Sequence, residues 1–406
     1  LAWRKSTGVP LHNALVWQDT RTQDICDEIK QIEELSVEFI KTGLPIATYF
    51  SLSKILWLLR NVDEVNKAKL DNDLCFGTID SWLLYKLTGN HVTDVTNASR
   101  TLLMDLDTLN WIEDVINSLD IPLDSLPSIK PSMFNYGTNE GILKNVPITA
   151  VLGDQQASLF GQNCISSGDV KNTYGTGCFA LTNTGSEIVH SNNGLLSTVA
   201  YQKDGDKPQY AIEGSVSIAG AAVQWLRDNL NIIKESSDVE ALAMAEKDNG
   251  DVYFVPAFSG LFSPHWDETA RGVLVGLSRF SNKSHIARAV LESVAYQSNE
   301  LLESMEKDIG ITFESVNVDG GMVVNNLLMQ FQSDIFNKKV ISQEINEITA
   351  LGAGAASFLF INNLPLENMN SFITQSKTWN PNMDSKQREQ YLNKWNKAIN
   401  KSKQWK

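Results

Sequence analysis

Two short stretches near the middle of the chain constrain its fold and chemistry most. The first is GDQQ at residues 153–156, directly after an apolar run, and the second is NTYGTGCF at residues 172–179. A Gly-Thr-Gly turn offers backbone N–H groups and a hydroxyl to a phosphate, without bulky side chains in the way. A carboxylate at the end of a buried strand is held in place. Together the two stretches predict phosphoryl transfer to a hydroxyl, although each alone also fits a plain hairpin or a helix N-cap.

Length and composition narrow the class of protein. A chain of 406 residues is too long for one core and indicates two large domains. A net charge of −14 argues against a nucleic-acid partner or an anionic membrane surface. The four cysteines show no paired or metal-ligand spacing, which is typical of reduced thiols and predicts a cytoplasmic protein. The apolar runs are too short to predict a membrane span.

The periodicity of the chain predicts a mixed α/β architecture. We expect residues 1–4 and 14–17 to pair as a hairpin, and a second hairpin to surround the turn at residues 175–177. A helix should begin near Gln155, and another should open at Asn325. A domain boundary is expected near residues 162–168.

Longer motifs give the chain a family resemblance. Residues 49–61 (YFSLSKILWLLRN) resemble the first signature of the FGGY carbohydrate kinases, and residues 272–277 (GVLVGL) with 285–292 resemble the second. Segments VWQ at 16–18, FGTIDSW at 76–82, TDVTNASRT at 93–101 and VDGG at 318–321 add to the match. The resemblance extends from about Trp3 to Trp405 and so covers nearly the whole chain.

The resemblance implies a two-domain, actin-like (ribonuclease H-like) ATPase fold with an interdomain cleft. It divides the chain into a polyol-binding part (1–161), a nucleotide-binding part (162–363) and a C-terminal helical extension (364–406). The family's N-terminal phosphate hairpin and its polyol-gripping Arg-Glu pair have no counterpart in this sequence. We therefore expect the first domain to be incomplete at its N-terminus, and this chain to be a truncated product of doubtful activity.

Within the family the chain is most similar to members that phosphorylate glycerol, which implies conversion of glycerol to sn-glycerol 3-phosphate with ATP and Mg²⁺. The resemblance places Asp154 as the catalytic base. It implies a substrate pocket formed by Trp17, Tyr49, Asp154, Gln155 and Phe179. It implies nucleotide contacts from Thr176, Gly220, Gln224, Gly321 and Asn325. No metal ligand is assigned, because the family's metal-associated Asp belongs to the N-terminal hairpin.

Two other functions stay open at this point. One is a kinase for another polyol or sugar such as xylulose, which the three bulky rings of Trp17, Tyr49 and Phe179 disfavour. The other is a non-catalytic relative that keeps the scaffold for binding or assembly. The expected partners are glycerol and ATP or ADP, and the sequence leaves a homo-oligomer open. Asn325 is equally well explained as a helix N-cap.

Overall fold

The computed structural model describes residues 1–141, 143–345, 347–373 and 376–405. Residues 1–161 form eight helices and six short strands within the described part. They are β1 (Ala2–Arg4), α1 (Gln23–Lys30), α2 (Ser36–Ile40), α3 (Ser51–Asn61), α4 (Asp63–Leu70), β2 (Leu74–Phe76), α5 (Ile79–Thr88), β3 (Val92–Asp94), α6 (Val95–Ala98), α7 (Glu113–Ser118), β4 (Ser128–Lys130), β5 (Met133–Thr138), β6 (Pro147–Ala150) and α8 (Asp154–Gly161).

The remaining described residues form nine strands and six helices. They are β7 (Val170–Tyr174), β8 (Cys178–Gly185), β9 (Leu196–Tyr201), β10 (Gln209–Val216), α9 (Gly220–Asp228), α10 (Asp238–Met244), β11 (Tyr253–Val255), β12 (Val273–Val275), α11 (Lys283–Ile309), β13 (Ser315–Asp319), α12 (Asn326–Phe336), β14 (Lys339–Gln343), α13 (Ile348–Ile361), β15 (Ser376–Trp379) and α14 (Ser385–Ser402). Short 3₁₀ helices lie at Glu33–Leu35, Leu123–Ser125 and Leu366–Phe372.

The first region is built around helices packed on small sheets. Strand β1 pairs antiparallel with β2, β3 pairs parallel with β4, and β5 pairs antiparallel with β6. Helix α3 buries its apolar residues, among them Leu52 and Leu56, against the other helices of this region. The helix ends at Asn61 because Val62 has an extended backbone.

The predicted pairing of residues 1–4 with 14–17 is wrong. The backbone of Trp3 forms an isolated bridge with Pro10, and β1 takes its strand partner from the distant β2. The chain does turn tightly after β1, since the Gly8 N–H donates to the Arg4 carbonyl over 2.7 Å. Residues 14–17 instead run along the wall of a cavity, and within the described chain they belong to no strand.

A seven-stranded sheet organises the second region in the order β15-β14-β13-β7-β8-β10-β9. Strand β13 is parallel to both β7 and β14, and the other neighbours are antiparallel. The 27-residue helix α11 begins with a capping box between Asn282 and His285 and ends at the left-handed Gly310. Together with α12 and α14 it covers the core that contains Tyr296 and Trp395.

The hairpin predicted around residues 175–177 is confirmed. Strands β7 and β8 are antiparallel in a register that places Tyr174 opposite Cys178. The turn is closed by the Gly175 N–H, which donates to the Gly177 carbonyl over 2.8 Å. A side chain on Gly177 would have its Cβ 2.4 Å from the Val216 carbonyl oxygen, so the close approach of β10 requires glycine there.

Helix α8 joins the two regions by packing backbone to backbone on α13. A Cβ on Gly352 would lie 1.9 Å from the Ala157 carbonyl oxygen, and one on Gly161 would lie 2.3 Å from the Ile348 carbonyl oxygen. Glycine at both positions therefore permits the contact. This packing anchors the first residue of α8, Asp154, to the second region.

Across the described ranges, no helix combines the length and the apolar character that crossing a membrane requires.

Candidate functional site

A cavity of about 560 Å³ is lined by all five residues predicted to bind the substrate. Residues of both regions form its wall, because Phe179 lies on β8 whereas Trp17 and Tyr49 belong to the first region. The five residues are Trp17, Tyr49, Asp154, Gln155 and Phe179. The structure thus brings together residues that are far apart in sequence, and their individual roles stay predictions.

Asp154 is the first residue of α8 and its carboxylate is exposed at the cavity wall. Its Oδ1 accepts a hydrogen bond from the Gln155 backbone N–H over 2.9 Å. The loop before it is tied down, since the Gly153 N–H donates to Thr96 Oγ1 over 2.8 Å. The N-terminal end of a helix stabilises a negative charge. An exposed, oriented carboxylate of this kind can accept a proton from a hydroxyl in the cavity.

Two aromatic rings and an arginine form one side of the cavity. The rings of Trp17 and Tyr49 are 5.3 Å apart between centroids and tilted by 58°. The Arg100 guanidinium lies 5.7 Å from the centroid of the Tyr49 ring and donates to Glu213 Oε1 over 2.9 Å. Burial raises the pKa of the Tyr49 hydroxyl, so this group stays protonated and can donate a hydrogen bond. The side thus offers apolar surface together with polar donors.

Arg100 was not among the predicted site residues, although it belongs to a quoted motif. Its partner Glu213 lies on β10 and is nearly fully buried, with a side chain 3% exposed. The ion pair therefore crosses from the first region to the second beside the cavity. A local sequence pattern does not predict this ion pair, because Arg100 and Glu213 are distant in the chain.

Lys171 is a second functional candidate that sequence reasoning missed. Its side chain is fully buried in β7, where Nζ donates to Gln155 Oε1 over 2.5 Å and to Thr173 Oγ1 over 2.9 Å. Nζ also lies 3.3 Å from the Phe179 carbonyl oxygen. Burial lowers the pKa of Lys171, and the charges of Asp319, Glu213 and Asp154 oppose that shift. The sequence signal that could have identified Lys171 is a lysine inside the segment VKNTY, which forms a buried strand.

Three of the predicted nucleotide contacts lie on backbone segments that meet at the β7–β8 turn. The Gly220 N–H donates to the Gly175 carbonyl over 3.0 Å, and the N–H groups of Ala219 and Ala221 donate to the Thr176 carbonyl. On the other side, the Met322 N–H donates to the Tyr174 carbonyl over 3.4 Å. These contacts bring together the segments that carry Thr176, Gly220 and Gly321.

The other two predicted nucleotide contacts are near the same segments in the chain. Gln224 follows Gly220 by one turn of α9 and is exposed. Asn325 is the N-cap of α12, where its Oδ1 accepts from the Leu328 N–H over 2.8 Å. The capping interpretation of Asn325 is therefore observed, and a nucleotide contact would fall to its Nδ2 group. In the described part of the chain, the lining of the Asp154 cavity does not include the five predicted nucleotide contacts.

Comparison with known protein families identifies the family to which this fold belongs. The model of the N-terminal domain of the FGGY family of carbohydrate kinases matches residues 1–161, and the model of the C-terminal domain matches residues 170–358. The chain therefore belongs to the FGGY family of carbohydrate kinases. The predicted two-domain, actin-like fold is confirmed by these matches and by solved structures of the family.

Among individual proteins, the chain is similar to several glycerol kinases. It is 51% identical to the glycerol kinase of Brucella anthropi over 412 residues, covering 100% of this chain and 83% of that protein. It is 49% identical to the glycerol kinase of Pseudarthrobacter chlorophenolicus, covering 100% and 82%. The crystal structure of Plasmodium falciparum glycerol kinase with ADP superimposes with a TM-score of 0.93 at 39% identity, covering 99% of this chain and 81% of that one.

Two further results bear on the predictions. The model of the N-terminal domain matches residues 1–161. This match does not support the prediction that the chain lacks an N-terminal subdomain. It also does not support the hypothesis, based on that prediction, that the chain is a truncated product. A xylulose kinase structure from Lactobacillus acidophilus has a TM-score of 0.83 at 24% identity, a likeness that concerns the fold alone.

Proposed function

We propose that this protein catalyses the ATP-dependent phosphorylation of glycerol, which yields sn-glycerol 3-phosphate and ADP. The observation that carries the proposal is the cavity that Asp154 and Gln155 line together with three aromatic side chains. Identity of about 50% to the two curated glycerol kinases supports the same substrate. A small polyol suits such a cavity, because the rings can cover its carbon atoms while the carboxylate and amide bond its hydroxyls.

Asp154 would act on the hydroxyl that attacks the phosphorus atom. Its carboxylate orients this hydroxyl and accepts its proton while the new oxygen–phosphorus bond forms. The bond between the γ-phosphorus and the β–γ bridging oxygen breaks, and ADP leaves with that oxygen. Phosphoryl transfer depends mainly on alignment and charge stabilisation. A side chain fixed at the first residue of a helix meets the need for alignment.

The nucleotide would lie along the segments that meet at the β7–β8 turn. Thr176 supplies an exposed hydroxyl there, and Gly321 is exposed without a side chain. Backbone N–H groups in turns of this kind bind phosphate oxygens. The ADP in the crystal structure of the Plasmodium falciparum relative supports an adenine nucleotide as the donor.

Mg²⁺ would accompany the nucleotide. Within the described ranges, no group of three or more His, Cys, Asp and Glu side chains is arranged to hold a metal. Mg²⁺ in kinase sites takes ligands from phosphates and water together with one or two carboxylates. Asp154 is kept as the proton acceptor, so phosphate oxygens and water would provide most of the metal ligands. The metal would neutralise charge on the transferred phosphoryl group.

Substrate preference tests the proposal. We expect glycerol to be phosphorylated with a kcat/KM at least about tenfold above that for xylulose or gluconate, since the rings of Trp17, Tyr49 and Phe179 would limit the length of the polyol that binds beside Asp154. The measurement is ADP release in a coupled assay with ATP and Mg²⁺, using each polyol in turn. Comparable kcat/KM values for glycerol and xylulose would contradict the assignment of glycerol, and no turnover of any polyol would favour the non-catalytic alternative.

A further inference from the structure

We infer that Lys171 is a positioning residue for glycerol: its buried ammonium group fixes the side-chain amide of Gln155 and the backbone of Phe179 on the cavity wall. This inference rests on the proposed function, because glycerol is the ligand that the two residues would hold. Lys171 does not line the described cavity and so acts through its neighbours.

The direction of the Gln155 amide follows from the chemistry of its partner. A lysine ammonium has three donors and no acceptor. The atom of Gln155 that lies 2.5 Å from Lys171 Nζ must therefore be the oxygen. The amide NH₂ group then points the other way, and its Nε2 lies 3.4 Å from Asp154 Oδ2. Lys171 thereby directs a donor toward the catalytic carboxylate and the cavity.

The same ammonium holds a second wall of the cavity. Lys171 Nζ lies 3.3 Å from the carbonyl oxygen of Phe179. Phe179 belongs to β8, whereas Gln155 belongs to α8. Its third partner, Thr173 Oγ1, lies on the same strand as Lys171 itself. One side chain therefore links the helix that carries Asp154 to the strand that carries the Phe179 ring. The three acceptors also saturate the three donors of the ammonium.

The charges around Lys171 explain why a cation is tolerated at a fully buried position. The carboxylates of Asp319, Glu213 and Asp154 all act on it favourably. Glu213 already pairs with Arg100, and Asp319 accepts a hydrogen bond from Ser158 over 2.6 Å. A buried cation is retained only where partners satisfy it. Here the partners include two residues of the candidate site, Gln155 and Asp154.

A double-mutant cycle tests the inference. The variants are Lys171→Met, Gln155→Ala and the two combined. Methionine keeps most of the length of the lysine side chain but removes its charge and its donors. We expect Lys171→Met to raise the KM and the Kd for glycerol about 10- to 100-fold, as for loss of a hydrogen bond to a charged group. The KM for ATP should change less than about threefold. In the double variant the loss should be clearly smaller than the sum of the two single losses, because part of the effect of Lys171 passes through Gln155.

A matched control is Lys338→Met, which removes a partly buried lysine paired with Glu306 over 2.8 Å, away from the cavity lining. It should leave the Kd for glycerol unchanged. Lys171→Gln keeps a donor at the same position and should recover part of the affinity, which also covers the case in which Lys171→Met fails to fold. Binding is measured by calorimetry with glycerol alone, so the result does not depend on turnover.

The outcomes separate the two claims. If the wild-type protein neither binds nor phosphorylates glycerol, the proposed function fails and the inference fails with it. If the wild type binds glycerol, additive losses in the cycle would overturn the inference. Equal effects on glycerol and ATP, or a Lys171→Met variant that binds glycerol as tightly as Lys338→Met does, would overturn it too.

Discussion

Asp154 combines exposure with a fixed position. It is exposed because it begins α8 at the edge of the cavity, and it is fixed because the preceding Gly153 is bonded to Thr96. The Gln155 backbone N–H further orients one carboxylate oxygen. At the scale of a single residue, the proposed proton acceptor would therefore need little reorganisation when substrate arrives.

Replacing Asp154 by Asn should keep the shape of the side chain and remove its capacity to accept a proton. We expect kcat for glycerol to fall about 100- to 10,000-fold, as for loss of a general base. Nucleotide affinity should stay within about threefold. The measurements are steady-state ADP release and a nucleotide titration. Asp206→Asn, at an exposed position outside the cavity lining, is the control. Activity of Asp154→Asn within a few-fold of the wild type would remove Asp154 from the mechanism.

At the scale of elements, the turn between β13 and α12 is open where a nucleotide is expected. Gly320 has a positive φ of 96° and presses against the Tyr174 backbone, whereas a Cβ on Gly321 would have no atom within 4 Å. The fold therefore requires glycine at the first position and not at the second. Glycine at the second position is consistent with close approach of a ligand to the backbone.

Substitution of Gly321 by Val separates the two requirements. We expect thermal stability to stay within about 2 °C of the wild type, because the new side chain meets open space. The KM for ATP should rise at least about tenfold, since the side chain occupies the approach to the backbone. Gly354→Val on α13 also meets open space and serves as the control. An unchanged KM for ATP would show that nucleotide does not approach Gly321.

Helix α11 carries a buried carboxylate that should make stability depend on pH. Burial raises the pKa of Glu292 from its ordinary 4.5 to about 7, against the opposing effects of Arg288 and Asn249. The folded state thus holds this proton more tightly than the unfolded chain. The contribution of Glu292 to the free energy of unfolding is therefore greatest below pH 4.5 and falls as pH rises through about 7.

Replacing Glu292 by Gln should remove this dependence. The difference in unfolding free energy between variant and wild type should shift in favour of the variant by about 3 kcal/mol between pH 4.5 and 7.5. Urea unfolding at a series of pH values measures it. Glu303→Gln on the same helix, where the side chain is 44% exposed, is the control. A constant difference across the range would show that burial does not govern the protonation of Glu292.

At the scale of the whole molecule, local patterns predicted more than distant pairings. The β7–β8 hairpin, the α8 start and the Asn325 cap depend on neighbouring residues, and each was predictable from the sequence. The pairing of β1 with β2 was not, because it joins residues separated by 70 to 74 positions in the chain.

The site shows the same division. The family motifs identified five residues that the fold places in one cavity. Lys171 and Arg100 were not predicted as site residues, because their importance comes from burial and from partners on other elements. Charged side chains are mostly solvated on the surface, so a sequence alone favours that interpretation. The domain limits at 161 and 363 stay predictions.

The glycine contact between α8 and α13 also has a consequence for motion. Where two helices touch through their backbones, no layer of side chains lies between them to be compressed or to change rotamer. We therefore expect helix α8 to move together with α13. Asp154 would then keep its position relative to α13. Any closing of the cavity around a substrate would be carried by the walls that bear Trp17 and Tyr49.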